Sequence, residues 1–248
     1  MIDPAKRYWL VGATEGLGRA LAIQMHAKGY DLVLSARNAD RLAVLCGLLP
    51  GSTGVAMDVA DAASVQRAAV EIGPVAGMVF LAGVYWPMTA AKVDATALET
   101  MCNINFTGCS RVVAAVLPDM VARNCGHIVI TGSLSGFRGL PGALGYSASK
   151  AGVMAMAESL YADLRGTGVK VQLANPGFIK TRLTEKNTFA MPFLMEPEAA
   201  AKAVLDHMAT SRFKTSFPTV FSWLFRLSQF LPDWAYYRLF APISSRKP

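Results

Sequence analysis

The sequence predicts an α/β fold, a doubly wound parallel sheet with helices on both faces. Three observations carry this. Short apolar runs alternate with longer helical patterns from Tyr8 to Ala209, the rhythm of successive βαβ units. A glycine-spaced turn, Gly12-Ala-Thr-Glu-Gly16-Leu-Gly18, separates the first run from the first helix. No linker, repeat or low-complexity segment breaks the pattern. The 248 residues, 53% hydrophobic and 17% charged, can bury one large core. Residues 1–248 therefore read as one domain with an aromatic-rich C-terminal extension over 217–243.

Tyr8–Val11 is the first strand, and Leu17–Lys28 a helix that stops near Gly29. Asp31–Ala36 is the second strand, and Asn38 caps a helix reaching about Leu48. Val55–Met57 is a short third strand leading to Asp58, followed by a helix over Ala62–Ile72. Met78–Leu81 is the fourth strand. Asp94 to Arg123 is helical with interruptions, Gly108 and Pro118 marking bends or capped starts. His127–Thr131 is the fifth strand, and one long helix runs from about Ala143 to Arg165. Val169–Ala174 is the sixth strand, and Glu196–Ala209 a helix begun by Pro197.

The net charge is +7, but the Lys and Arg residues are dispersed, which argues against a nucleic-acid partner. Cys46, Cys102, Cys109 and Cys125 form no CxxC pair, and with three histidines no metal site is expected. The run Tyr8–Val11 is too short for a signal-peptide core, so a cytoplasmic protein is expected.

Gly12, Gly16 and Gly18 suit a turn whose backbone approaches a pyrophosphate at a helix N-terminus. The spacing is Gly-x3-Gly-x-Gly rather than the commoner Gly-x-Gly-x-x-Gly, and a purely structural turn is the rival reading. After the second strand, a carboxylate would bond adenosine ribose hydroxyls, whereas an arginine would accept a 2′-phosphate. Here that place holds Ala36 followed by Arg37, which favours NADP(H) over NAD(H). Glu15 argues the other way if it points inward, and Arg37 has a bland reading as a solvated surface residue. Asp58 and Val59 would meet the adenine, or Asp58 caps the next helix.

Tyr146 and Lys150 are one helical turn apart on one face. A free phenol exchanges protons poorly at neutral pH, and a nearby ammonium favours the phenolate. The pair thus suits general acid–base work. Ser133 follows the fifth strand, at the carboxyl edge where open sheets bind ligands, and its hydroxyl can bond a substrate oxygen. Ser135 is a rival for that role, and a turn-capping hydroxyl is the plain alternative.

Over roughly residues 7–182 the chain resembles the classical short-chain dehydrogenase/reductase family, whose fold is a Rossmann-type sheet. The resemblance rests on the glycine turn, Asp58-Val59, Asn105-Phe-Thr-Gly108, Ser133 with Tyr146-x3-Lys150, and Pro176-Gly177-Phe-Ile-Lys-Thr181, in family order. It implies catalytic roles for Asn105, Ser133, Tyr146 and Lys150. Tyr146 would be the acid/base, Lys150 would also bond the nicotinamide ribose, and Asn105 would help hold a proton-relay water. It implies dinucleotide contacts from Gly12, Thr14, Glu15, Gly16, Leu17, Gly18, Ala82, Gly83, Pro176 and Gly177, with Ile179 and Thr181 at the carboxamide. Two departures stand out. Phe80-Leu81-Ala82-Gly83 replaces the family's Asn-Asn-Ala-Gly, and Val11 stands where a Thr is usual.

A lid over about 182–197 carries Phe189, Met191, Phe193, Leu194 and Met195, which suits a lipophilic ketone or alcohol, or plain lid packing. The tail holds no clean apolar stretch of about 20 residues, so it does not span a membrane. It fits an interfacial helix at a membrane surface, a subunit interface or a cover over the cleft. The long helices around 98–123 and 146–165 could pair across a two-fold axis in a homodimer or homotetramer. A dinucleotide-sensing or scaffold protein without turnover is the alternative to a carbonyl reductase, favoured by Leu81 and the tail.

Overall fold

The computed structural model describes residues 6–187 and 191–240. Seven strands form one parallel sheet: β1 (Arg7–Val11), β2 (Asp31–Ala36), β3 (Thr53–Ala56), β4 (Gly77–Phe80), β5 (Gly126–Thr131), β6 (Val169–Pro176) and β7 (Lys214–Phe217). Their order is β3-β2-β1-β4-β5-β6-β7, every neighbouring pair parallel. The order turns back between β1 and β4, and this switch point opens a crevice at the carboxyl edge.

Alternation along each strand feeds two cores. Trp9 and Val11 of β1, with Phe80 and Ile130, face α3 (Ala62–Ile72), α5 (Gly108–Ala122) and α6 (Leu144–Asp163). Tyr8 and Leu10, with Leu34 and Val129, face α1 (Gly16–Ala27), α2 (Ala39–Leu48) and α7 (Pro197–Met208). Burial on both faces explains why the strands are near-continuous apolar runs. A polar network ties the amino-terminal edge. His127 meets the Tyr8 hydroxyl at 2.9 Å and Gln172 Oε1 at 2.8 Å. Gln172 Nε2 donates to the carbonyls of His207, Thr210 and Arg212, so its Oε1 accepts and His127 Nε2 carries a proton. Burial pushes the His127 imidazole down to about 3 and keeps it neutral.

Two expectations need correction. β7 had no counterpart in the sequence reading. The helical stretch after Asp94 is also more continuous than expected: α4 (Ala95–Cys102) runs through a π-turn (Asn103–Thr107) into α5. Gly108 is ordinary helical backbone at φ −61°, and it is small because a Cβ would lie 3.0 Å from Val59. Pro118 lies inside α5 and starts nothing; it removes the amide that would bond the Ala114 carbonyl. The extension after β7 folds as α8 (Thr219–Ser228) and α9 (Asp233–Phe240).

Candidate active site

The glycine turn has no room for side chains. Gly12 has φ +89°, and a Cβ there would sit 2.6 Å from the Ala82 amide nitrogen. A Cβ on Gly18 would come 2.0 Å from the Gly12 carbonyl oxygen, and one on Gly16 2.6 Å from Thr181 Cγ2. Ala82 and Thr181, far away in the chain, therefore close on the glycine turn at Gly12 and at Gly16 respectively. Asn38, Asp61 and Asp94 cap α2, α3 and α4 with side-chain oxygens, but no side chain caps α1. Its first-turn amides are left for another acceptor, the arrangement an anion seeks. These residues fit a dinucleotide pyrophosphate. Asp58 does not cap α3, which is Asp61's role; its Oδ1 takes the Ala60 amide at 2.9 Å and tightens its own turn.

Glu15 is ion-paired to both Arg41 and Arg182. The carboxylate in the turn is thus neutralised from two sides, which answers the objection it raised to a 2′-phosphate. A cleft beside it is lined by Thr14, Arg19, Asp40 and Arg41. Arg37 is exposed at the same edge. Neither Arg41 nor Arg182 was singled out from the sequence, because their pairing with Glu15 exists only in the fold.

The chemical half stands across the sheet edge. Ser133 follows β5 and opens a 3₁₀ turn (Leu134–Gly136), its Oγ 2.9 Å from Ser135 Oγ. Tyr146 and Lys150 lie on α6, and Lys150 Nζ donates to the Thr131 carbonyl at 2.8 Å. Lys150 Nζ is 5.9 Å from the Tyr146 ring centroid. Tyr85, which the sequence reading passed over, packs edge-on against Tyr146 at 5.1 Å. Burial pushes the Tyr146 phenol up to about 12; a hydrogen bond from Ser133 opposes this and Tyr85 adds to it. Burial also pulls the Lys150 ammonium down to about 8. Desolvation is the largest influence on both groups, and Lys150 Nζ uses one of its three N–H donors on Thr131.

Asn105 is fully buried in the π-turn. Its Oδ1 accepts the Val84 amide at 2.8 Å, and its Nδ2 donates to the Val84 carbonyl and to Ser149 Oγ, each at 3.0 Å. The side chain therefore holds the β4 loop against α6, with both Nδ2 donors in use and one hydrogen bond accepted at Oδ1. Leu81 packs into the core, so apolar contact replaces the polar pair usual at this place.

A short chain dehydrogenase family model matches residues 6–191. The chain belongs to the short-chain dehydrogenase/reductase family. It is similar to an uncharacterized oxidoreductase of Myxococcus xanthus, 35% identical over 232 residues, covering 90% of this chain and 92% of the other. It is also similar to mouse dehydrogenase/reductase SDR family member 7B, 35% identical over 71% of this chain and 58% of that protein. Among solved structures, a Burkholderia phymatum short-chain dehydrogenase/reductase in complex with NAD superposes with TM-score 0.85 at 25% identity, covering 93% of this chain and 95% of that one. A closed serine dehydrogenase complexed with NADP+ gives TM-score 0.77 at 27% identity, over 85% and 94%. As a short-chain dehydrogenase/reductase the protein is an NAD(P)-dependent oxidoreductase. The two neighbours carry different dinucleotides, so the choice between them rests on this chain's own residues.

On this short-chain fold the segment after β6 and the tail pack beside the β4 loop and the Ser133 loop. Ile179 bridges to Met195, and Lys186 Nζ donates to the Tyr85 carbonyl at 2.9 Å, joining the lid to the β4 loop. Phe189 lies outside the described residues. The inner faces of α8 and α9 pack Phe221, Phe225, Tyr236 and Phe240 around Leu134, next to Ser133. Arg138 pins them: its guanidinium donates to the carbonyls of Ser228 (3.1 Å) and Leu231 (2.8 Å), pairs with Asp233 and lies 4.0 Å over the Tyr236 ring. The Tyr236 hydroxyl donates to Gly139 O at 2.9 Å. No described helix is long and apolar enough to cross a membrane.

Proposed function

We propose that this chain reduces a lipophilic ketone or aldehyde with NADPH, or runs the reverse oxidation of a secondary alcohol, with Tyr146 as acid/base. The observation that carries this is the meeting of Ser133, Tyr146 and Lys150 at the sheet edge that also holds the glycine turn. The bound nicotinamide supplies or accepts the hydride. Ser133 holds the carbonyl oxygen and stabilises charge developing there. Tyr146 stays protonated at neutral pH and so gives its proton to that oxygen. Lys150 supplies positive charge beside it and bonds the nicotinamide ribose. Asn105 is a positioning residue that fixes Val84 and Ser149. Gly12, Thr14, Gly16, Leu17 and Gly18 cradle the pyrophosphate, Asp58 and Val59 meet the adenine, and Ala82 and Gly83 pass the cofactor closely. Pro176, Gly177, Ile179 and Thr181 form the nicotinamide side.

Arg37 reads the 2′-phosphate, with Glu15 held off by Arg41 and Arg182. The apolar wall of Leu134, Phe178 and Phe221 supports a lipophilic substrate. Pairing of α5 and α6 across a two-fold axis belongs to the same reading, with Val121 and Tyr161 exposed there. So does a reducing, cytoplasmic setting, since all four cysteines are free. Turnover of a panel of ketones and aldehydes with NADPH and NADH tests it. NADPH is expected to be the better donor, and Arg37→Ala to erase that preference by about tenfold or more, as expected for a lost charge-assisted contact. NADPH bound without turnover of any carbonyl would instead make the chain a dinucleotide sensor.

A further inference from the structure

Nine of the nineteen exposed large apolar residues among those described fall between Val220 and Leu239. Scattered surface apolar residues need no explanation, but a contiguous patch does. The outer face of α8 and α9 presents Trp223, Leu227 and Trp234, and the turn between the helices presents Phe230, with Phe230 85% and Trp234 75% exposed. Phe193 of the lid, 5.5 Å from Phe221 and itself exposed, extends the surface toward the cleft. The opposite face of the same helices is fixed: Phe221, Phe225, Tyr236 and Phe240 are buried and Arg138 holds the pair in place. The outer aromatics therefore cannot turn inward without dismantling the wall beside Ser133.

The charges choose the occupant. In the described tail after β7 the cations are Arg226 and Arg238, both exposed, and the one acid is Asp233. Asp233 is already paired with Arg138. Arg226 stacks over Trp223 at 4.7 Å, an arginine on an aromatic ring inside the apolar face. A second copy seated on this face by a two-fold axis would bring these cations together with no free acid to meet them. An anionic surface meets them without repulsion, and aromatic rings with arginine are the composition that seats in a headgroup layer.

We propose that α8 and α9 dock the protein on an anionic phospholipid membrane surface, with Phe230 and Trp234 inserted and Arg226 and Arg238 at the headgroups. The inner face of the same helices walls the candidate site, so a carbonyl dissolved in that membrane would enter beside Ser133. This last step rests on the lipophilic-carbonyl reading; the docking does not. The test spins the full chain with phosphatidylcholine vesicles and with vesicles that also contain phosphatidylserine, without dinucleotide or carbonyl. Pelleting is expected with the mixed vesicles and much less with phosphatidylcholine alone, and it weakens as salt rises. The Phe230→Ser, Trp234→Ser double variant is expected to lose about tenfold or more in vesicle binding, from the lost apolar insertion. Its thermal stabilisation by NADPH should equal the parent's, which shows that it is folded. Absence of the parent from the mixed-vesicle pellet overturns the proposal, as does equal pelleting of the double variant. A dimer abolished by the double variant, with no vesicle binding by either, makes a second copy the occupant and also overturns it. Loss of carbonyl turnover alone would touch only the functional reading.

Discussion

Tyr146 and Lys150 answer burial in opposite directions, because desolvation disfavours whichever form is charged. The phenol goes up to about 12 and the ammonium down to about 8. Tyr146 is therefore protonated at neutral pH, the state from which a proton can pass to a carbonyl oxygen. Lys150 is the group whose charge changes near neutrality. A lysine whose pKa is lowered to about 8 is charged below that value and neutral above it. Catalytic efficiency for carbonyl reduction should therefore fall as pH rises through about 8. Lys150→Arg should move that fall upward, since a guanidinium keeps its charge. A profile with no break between about pH 7 and 9 would remove Lys150's charge from the mechanism. Ser133, Tyr146 and Lys150 were legible in the sequence because their spacing on one strand end and one helix face encodes their meeting. The Glu15 pairs with Arg41 and Arg182 were not, since nothing in local spacing brings residue 182 to residue 15.

At the scale of elements, the strands that pair in the middle of the sheet were readable because both their faces are apolar. β7 was not. Lys214-Thr-Ser-Phe217 is four residues long, mostly polar and at the sheet edge, so it carries neither an apolar run nor a strict alternation. The tail's amphipathic helices were visible as a cluster of aromatics, but which face turns inward depends on contacts with the Ser133 loop. Arg138 makes those contacts and was missed, because an isolated arginine in a glycine-rich loop gives no signal. Its worth lies in two backbone carbonyls and the Tyr236 ring more than in Asp233, which is 85% exposed on its side chain. Arg138→Ala should raise KM for a lipophilic carbonyl by about tenfold, roughly one to two lost hydrogen bonds to a charged group. KM for the dinucleotide should stay unchanged. Arg138→Lys should not restore the site, because a lysine lacks the planar fork that reaches both carbonyls while lying on the ring. Equal loss for carbonyl and dinucleotide would show that Arg138 acts on the fold as a whole.

The whole molecule divides its work across the sheet's switch point. One half offers a glycine turn and an uncapped helix, the other a serine, a phenol and an ammonium, and the β4 loop held by Asn105 runs between them. That division was legible early, because strand-then-turn-then-helix order fixes where carboxyl edges lie. The packing around that edge was not, because it depends on distant segments: the tail at 219–240 packs on the loop that carries Ser133, and Lys186 bonds the Tyr85 carbonyl of the β4 loop. If the division holds, the two halves can be separated by one atom. Tyr146→Phe keeps the ring and its contact with Tyr85 but removes the proton. The decisive measurement is carbonyl-dependent consumption of NADPH by Tyr146→Phe beside the parent chain, with NADPH affinity measured on both. The expected result is unchanged NADPH binding and a turnover rate lower by about 10³-fold, the scale of a lost general acid. A variant that turns over as fast as the parent would contradict the account.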